Sequence, residues 1–160
     1  MKKLQNAYRF FVSIFIAQSA GIIGSIFTLD SVSVWYPTLE KPFFSPPNWI
    51  FGPVWISLYT LMGISFYIIW QRGIERREVR FAMSLFLFHL ALNALWSIFF
   101  FGFQSPLLAF VEIVILWAVI VWMIFKFWKI SRLAAYLLLP YIVWVSFAAI
   151  LNFSIFILNR

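Results

Sequence analysis

The sequence has no cysteine and one histidine, His89, among its 160 residues. Without cysteine, disulfide scaffolds, thiolate metal sites and cysteine nucleophiles are excluded, and a single histidine excludes a poly-histidine metal site. Charge is also scarce, because Asp, Glu, Lys and Arg make up only 11% of the chain, against about 25% in soluble domains. So few charges cannot cover a water-exposed surface. This excludes a soluble enzyme, a nucleic-acid-binding protein and a disordered chain, despite the net charge of +7.

Apolar residues are abundant instead: 64% of the chain is hydrophobic and the mean hydropathy is +0.97. A helix needs about 20 apolar residues to cross a bilayer. Five stretches meet this requirement, and their continuous apolar character does not fit the alternating pattern of a membrane barrel. The sequence therefore predicts an all-α integral membrane protein, a single domain over residues 1–160, with helices at about 10–29, 50–71, 81–103, 107–126 and 133–157.

Lysine and arginine are distributed unevenly between the two predicted sides of the membrane. Ten lie in the N-terminal flank and in the second and fourth connections, and two, Lys41 and Arg160, lie on the opposite side. The positive-inside rule then places the N-terminus in the cytoplasm and the C-terminus outside. The same excess of positive charge favours contact with anionic lipid headgroups, with no implication of nucleic-acid binding.

The first apolar stretch has two features that bear on its role. Two lysines precede it, as in a signal peptide, but it continues to Leu29 without a clear cleavage site, which favours an uncleaved helix. Ala17, Gly21 and Ser25 are spaced four residues apart. Such a small-residue stripe permits close helix contact, either within the chain or with a second copy.

The connection at 30–49 is the long one, and it is rich in proline and aromatic residues. Pro42, Pro46 and Pro47 prevent a long helix. Trp35 and Tyr36 make the segment too apolar to extend into water. We therefore predict that this outer loop folds back over the end of the bundle.

Glu112 is the only acidic residue inside a predicted span. It lies six residues after Pro106, so about 9 Å below the outer interface at about 1.5 Å per residue. An ionisable group in a membrane is a functional candidate, here for proton or cation coupling in a small cation or drug transporter. The alternative is that the carboxyl group reaches the headgroup region or pairs with a hydroxyl.

Several polar and tryptophan positions fall in the outer half of the predicted bundle, beneath the aromatic loop. On the third helix, His89, Asn93, Ser97 and Gln104 share one face, which must point into the bundle. These side chains either form hydrogen bonds between helices or, at Asn93 and Ser97, line a cavity. Aromatic walls with a few amides and hydroxyls fit a pocket for a flat apolar ligand. The positions at this depth are Trp55, Asn93, Ser97, Trp144, Ala148 and Asn152.

The nine tryptophans also fit a second role, as belts at the two membrane surfaces. Such belts account for Trp70, Trp117, Trp122 and Trp128 better than for Trp144, which lies in the middle of its predicted span. Hydrolytic chemistry has no comparable signal. No nucleophile–base pair, phosphate-binding loop or metal constellation is recognisable in the sequence, so conventional hydrolysis has no support.

Three motifs occur in order along the chain, and together they resemble the TspO/MBR family of tryptophan-rich sensory proteins, which includes the mitochondrial translocator protein, or peripheral benzodiazepine receptor. The resemblance covers about residues 10–156. It is carried by Trp35-Tyr36-x-x-Leu39-x-Lys41-Pro42 with Pro46-Pro47-x-Trp49-x-Phe51-Gly52-Pro53-Val54-Trp55, by Leu92-Asn93-x-x-Trp96-Ser97-x-x-Phe100-Phe101, and by Pro140-Tyr141-x-x-Trp144-x-x-Phe147-Ala148-x-x-Leu151-Asn152.

The resemblance implies a five-helix bundle, often dimeric, with a cavity capped by the first loop. It implies no obligatory cofactor, and binding of porphyrins, haem precursors, sterols or benzodiazepine-type compounds. It also implies an alternative activity, light-dependent porphyrin degradation, in which Trp55 and Trp144 would take part. By matching positions, the cavity residues would be Tyr36, Trp55, Asn93, Phe99, Trp144, Ala148 and Asn152.

The chain departs from the mammalian pattern at its C-terminal end. There, Leu151 is followed by Phe153, and no tyrosine precedes Arg160. The C-terminal sterol pattern, a weak one in any case, is therefore incomplete. We accordingly do not expect cholesterol recognition through this element. The cationic first loop and the absence of transit-peptide features favour a prokaryotic plasma-membrane protein. We expect it to bind or sense tetrapyrroles or similar flat hydrophobic ligands.

Overall fold

The computed structural model describes residues 2–160, which form six α-helices and no strand. Five helical segments are long and apolar enough to cross a membrane, which confirms the predicted five-helix membrane bundle. The helices are α1 (Lys2–Val34), α2 (Asn48–Trp70), α3 (Arg77–Ser97), α4 (Pro106–Ile130), α5 (Arg132–Tyr136) and α6 (Leu139–Leu158).

The last candidate span, Arg132–Leu158, comprises two helices, α5 and α6. They are separated at Leu137 and Leu138, and Pro140 lies in the first turn of α6. A proline is tolerated in a first turn because that turn has no intrahelical acceptor for its backbone N–H. The proline predicted to interrupt the span therefore begins a new helix segment.

The first helix is longer than predicted. Hydropathy placed it at 10–29, whereas α1 covers Lys2–Val34 and so continues for four residues beyond Asp30. Charged residues are compatible with a helix where it leaves the hydrocarbon, so hydropathy detects only the part inside the membrane. The loop predicted at 30–49 is correspondingly shorter, at 35–47, and contains a 3-10 turn at Tyr36–Thr38.

The helices surround an interior that is closed at one end and hollow at the other. α1 packs against α2 and α3, α4 packs against α3 and α6, and α5 fills the space between α2 and α4. α2 and α6 touch only sparsely. We call the end with the cations of the second and fourth connections the basic end, and the opposite end, where the loop 35–47 lies, the loop end. Toward the basic end, the interior is filled by large, almost fully buried side chains, among them Phe66, Phe86, Met123 and Phe127.

The outward faces of the helices are apolar and exposed. Large side chains such as Phe11, Ile26, Phe88, Phe125 and Val143 point away from the core. In water such an extensive apolar surface would be a liability, whereas lipid chains solvate it. The fold is thus that of an integral multi-pass membrane protein.

Small residues form the seam between α1 and its neighbours. Ala17 is fully buried, and a Cβ atom added at Gly21 would lie 2.5 Å from the ring of Tyr59 on α2. At Gly63 of α2, an added Cβ would lie 2.7 Å from the Cα atom of Ile14. The predicted small-residue stripe therefore packs within the chain, except for Ser25, which is exposed.

Replacing Gly63 with alanine tests this seam. Because the nearest atom belongs to the backbone of α1, the helices must move apart, and overpacking of this kind costs about 1–3 kcal/mol. We expect Gly63→Ala to lower the melting temperature in detergent, followed by circular dichroism. Gly52→Ala is the matched control, since a Cβ there meets nothing within 4 Å. Equal melting temperatures for the two variants would contradict close α1–α2 packing.

Candidate functional site

A cavity of about 360 Å³ lies at the loop end of the bundle. Its volume falls in the range of about 300–1,000 Å³ that is typical of ligand pockets. All five spans contribute to its walls, and no charged side chain lines it. The aromatic lining residues are Tyr36, Phe51, Trp55, Tyr59, Trp96, Phe100, Phe101 and Trp144.

The structure brings together all but one of the residues that the sequence predicted for this site. The lining includes Tyr36, Trp55, Asn93, Ser97, Trp144, Ala148 and Asn152. The exception is Phe99, which is not among the lining residues and packs against Phe103, with 5.8 Å between ring centroids. The next two residues, Phe100 and Phe101, line the cavity instead.

Helix spacing explains this exception, because Phe99 is two residues from Ser97, about 200° around the helix axis, whereas Phe100 and Phe101 are three and four residues from Ser97 and share its face. A π-helical turn follows at Ile98–Gly102. Its hydrogen bond from the N–H of Phe103 to the carbonyl of Ile98, at 2.8 Å, spans five residues instead of four. The extra residue in the turn rotates the following side chains relative to a regular helix. Gln104 follows the turn and is displaced by it: it does not continue the face of His89, Asn93 and Ser97, but lies exposed beyond the turn with φ of 52°. Its prediction on that face was wrong.

Asn93 joins three helices at the cavity wall. The hydroxyl of Tyr59 on α2 donates to its Oδ1 atom, and its Nδ2 atom donates to the hydroxyl of Tyr141 on α6 at 3.0 Å. The two interpretations of this residue, as a link between helices and as a lining residue, therefore both hold. Its amide also holds the two tyrosines in place.

Asn152 has a similar role nearer the loop. Its Oδ1 atom accepts from the indole N–H of Trp96 at 3.0 Å, and its Nδ2 atom donates to the carbonyl of Pro106 at 2.7 Å. Trp96 in turn stacks on Phe100, with ring centroids 5.1 Å apart. One amide thus links α3, α4 and α6 and orients the aromatic wall between them.

Trp144 differs from these residues because its polar atom is unused. Its indole N–H is buried and has no hydrogen-bond partner within residues 2–160. Phe51 and Phe147 flank the ring, at centroid distances of 5.9 and 5.4 Å. An unpaired buried donor is costly, and an acceptor atom on a ligand would remove that cost.

The loop 35–47 covers the cavity, as its aromatic content predicted. Tyr36 is only 5% exposed and packs against Phe101, with centroids 6.0 Å apart. The loop is fastened to α6 by Asn159, whose side chain accepts from the N–H of Glu40 and donates to its carbonyl, both at 2.9 Å. Burial raises the pKa of the Tyr36 hydroxyl, which therefore keeps its proton at neutral pH.

The cavity is open on one side, between α1 and α2. The lining residues that remain exposed are all on these two helices: Ser25, Leu29, Asn48 and Gly52. The side chains that border the opening are large, apolar and exposed, which places them against lipid: Ile22, Ile26, Trp49 and Ile56. The geometry therefore directs the opening toward the bilayer.

The two ionisable residues singled out within the spans, His89 and Glu112, lie outside the lining. His89 is fully buried, its Nδ1 atom bonds the carbonyl of Phe86, and its ring lies 5.7 Å from that of Tyr141. Glu112 is 4% exposed, and neither carboxyl oxygen has a partner within the described chain. Glu112 is thus well inside the bundle and does not reach the headgroup region or pair with a hydroxyl.

Comparison with known proteins agrees with the motifs. Residues 12–158 match the TspO/MBR family. Tryptophan-rich protein TspO from Archaeoglobus fulgidus is 44% identical over 154 residues, covering 96% of this chain and 99% of that protein. The translocator protein of Homo sapiens is 34% identical over 143 residues, 88% of this chain and 84% of that protein. The tryptophan-rich sensory protein of Cereibacter sphaeroides is 31% identical over 125 residues, covering 78% and 77%.

The absence of native cysteine makes the opening directly testable with single introduced cysteines. In liposomes, we expect Gly52→Cys to react faster with a lipid-soluble maleimide than with a sulfonated, water-soluble one, because this position has open space around it and borders lipid-facing side chains. Ala17→Cys, on α1 and fully buried, should react slowly. Faster labelling of Gly52→Cys by a sulfonated, water-soluble maleimide would show instead that the opening faces water.

Proposed function

The chain belongs to the TspO/MBR family, and on this premise we propose that it binds tetrapyrroles, or similarly flat hydrophobic molecules, for sensing or translocation. The observation that carries the proposal is the aromatic cavity at the loop end, closed by Tyr36 and provided with the unpaired donor of Trp144. A porphyrin or haem intermediate would be the ligand, and no obligatory cofactor is proposed.

The lining supports a flat ligand for physical reasons. Trp55 and Trp144 come from α2 and α6, the two helices that touch only sparsely, so they border the hollow part of the interior. Aromatic contacts contribute about 0.5–1.5 kcal/mol beyond the burial of apolar area. Asn93 and Asn152, whose amides are engaged with protein groups, would act by fixing the positions of these walls. The Tyr36 hydroxyl and the Trp144 N–H would orient the ligand.

The topology proposed with this function has the basic end in the cytoplasm. Arg72, Arg76, Arg77 and Arg80 in the second connection, with the cations of the N-terminal flank and fourth connection, satisfy the positive-inside rule in that orientation. The cavity and its opening then lie in the outer leaflet. The family resemblance adds a homodimer to the proposal.

A titration in darkness tests binding. Protein in lipid nanodiscs is titrated with protoporphyrin IX while tryptophan fluorescence and the Soret band are recorded. We expect saturable quenching, and a loss of affinity of about tenfold or more in Trp144→Ala, which removes both a ring contact and the free donor. Trp122→Ala is the control, because Trp122 is exposed on α4 and does not line the cavity. Absence of saturable binding, or unchanged affinity in folded Trp144→Ala, would count against the proposal.

A second candidate function is light-dependent oxidation of a bound porphyrin with dioxygen as oxidant. The ring contacts of Trp55 favour it. Trp55 stacks on Tyr59 with ring centroids 5.4 Å apart and planes inclined by 27°, and it meets Tyr141 edge-on at 6.3 Å. Tryptophan and tyrosine rings are the side chains best able to lose an electron. Trp55 and Tyr59 line the cavity, and Tyr141 is fully buried beside Trp55, so these three rings could take part in such an oxidation.

Illumination of the same complexes separates the two functions. If the second candidate is right, the Soret band should decay only in light and in the presence of oxygen, and the decay should disappear in Trp55→Phe and Trp144→Phe. Trp122→Phe should behave as the wild type does. A Soret band that stays constant in all samples would leave a binding protein without this activity.

A further inference from the structure

The cavity has no charge of its own, yet one cation lies against a side chain that lines it. Among the described residues, the charged side chains of the loop end are Asp30, Glu40, Lys41 and Arg160. Arg160 is exposed at the end of the chain, whereas Lys41 is half-buried in the loop that covers the cavity. Its ammonium nitrogen lies 4.6 Å from the ring centroid of Tyr36, a lining residue.

The ammonium group of Lys41 has N–H donors that bond no other group of residues 2–160. Its one hydrogen bond goes to the carbonyl of Leu39, two residues away, at 3.3 Å. An ammonium has three N–H donors, so two of them are free. The ion pair within residues 2–160 is Arg76–Glu78 at the basic end, so Lys41 has no acidic partner in the part of the chain that is described.

The backbone on both sides of Lys41 is restrained, which limits where its side chain can lie. The preceding residue, Glu40, has both its N–H and its carbonyl bonded to the side chain of Asn159. The following residue, Pro42, has a fixed φ and restricts the conformation of Lys41 itself. Position 41 is therefore anchored on both sides. A preorganised cation loses less entropy on binding than one in a mobile loop.

We infer that Lys41 binds an acidic group of the ligand, so that the site selects flat apolar molecules that carry a carboxylate at one edge. The apolar body would lie in the uncharged cavity and the carboxylate would pair with the free N–H groups at the rim. Charge-assisted hydrogen bonds are stronger than neutral ones, and the weakly polar surroundings of the cavity strengthen them further. This inference rests on the proposed function and specifies the ligand class of the same site.

The test compares a porphyrin diacid with its uncharged ester. Protoporphyrin IX and its dimethyl ester are titrated into nanodiscs that contain wild type, Lys41→Gln, Lys41→Arg or Arg160→Gln. We expect the wild type to prefer the diacid, and Lys41→Gln to lose about tenfold in affinity for the diacid and none for the ester. Because the ratio of diacid to ester affinity in each variant is compared with the same ratio in the wild type, differences in partitioning of the two porphyrins into lipid cancel.

The remaining variants define the charge requirement. Lys41→Arg should retain the preference and Arg160→Gln should leave it unchanged, while added salt should reduce it in the wild type. If Lys41 pairs with a lipid phosphate instead, Lys41→Gln will not alter the ratio, and the inference is overturned. If neither porphyrin binds the wild type saturably, the proposed function is wrong, and the inference fails with it.

Discussion

Hydrocarbon provides no hydrogen-bond partner, and this constraint governs where the polar groups of the chain lie. Backbone groups meet it through the six helices, and buried amides meet it by bonding between helices. Asn93 bonds tyrosines of α2 and α6, and Asn152 bonds groups of α3 and α4. These two residues therefore fix the relative positions of the helices at the hollow end of the bundle.

The buried polar atoms of the described residues that have no hydrogen-bond partner are few, and they are therefore informative. Within residues 2–160, they include the N–H of Trp144 and both carboxyl oxygens of Glu112. Trp144 lines the cavity, so its free donor supports a ligand with an acceptor atom. Glu112 is surrounded by protein and does not line that cavity. Depth and rarity in the sequence made both residues candidates, but only position relative to the cavity separates them.

Most of the site could be predicted because depth in a membrane can be counted along a helix. Trp55, Ser97 and Trp144 lie the expected number of residues from the loop end, and all three line the cavity. Phe99, which only the family resemblance had added, does not line it. Gln104 was wrongly assigned to the face of Asn93 and Ser97, because that assignment assumed regular helix geometry across Ile98–Gly102. A π turn depends on how the surrounding helices pack, and the residues of this segment do not by themselves predict one. The free N–H of Trp144 was equally invisible, since hydrogen-bond partners come from other helices.

The sequence by itself determined the environment, the five spans, the aromatic loop and the family, because each of these depends on local composition or on ordered motifs. Only the tertiary structure decided which amides bond protein and which donor is left free, and that the cavity opens between α1 and α2. It also placed the ammonium of Lys41 against the ring of Tyr36 at the rim. These features depend on distances between segments far apart in the chain, and such distances follow from packing, which local patterns do not encode.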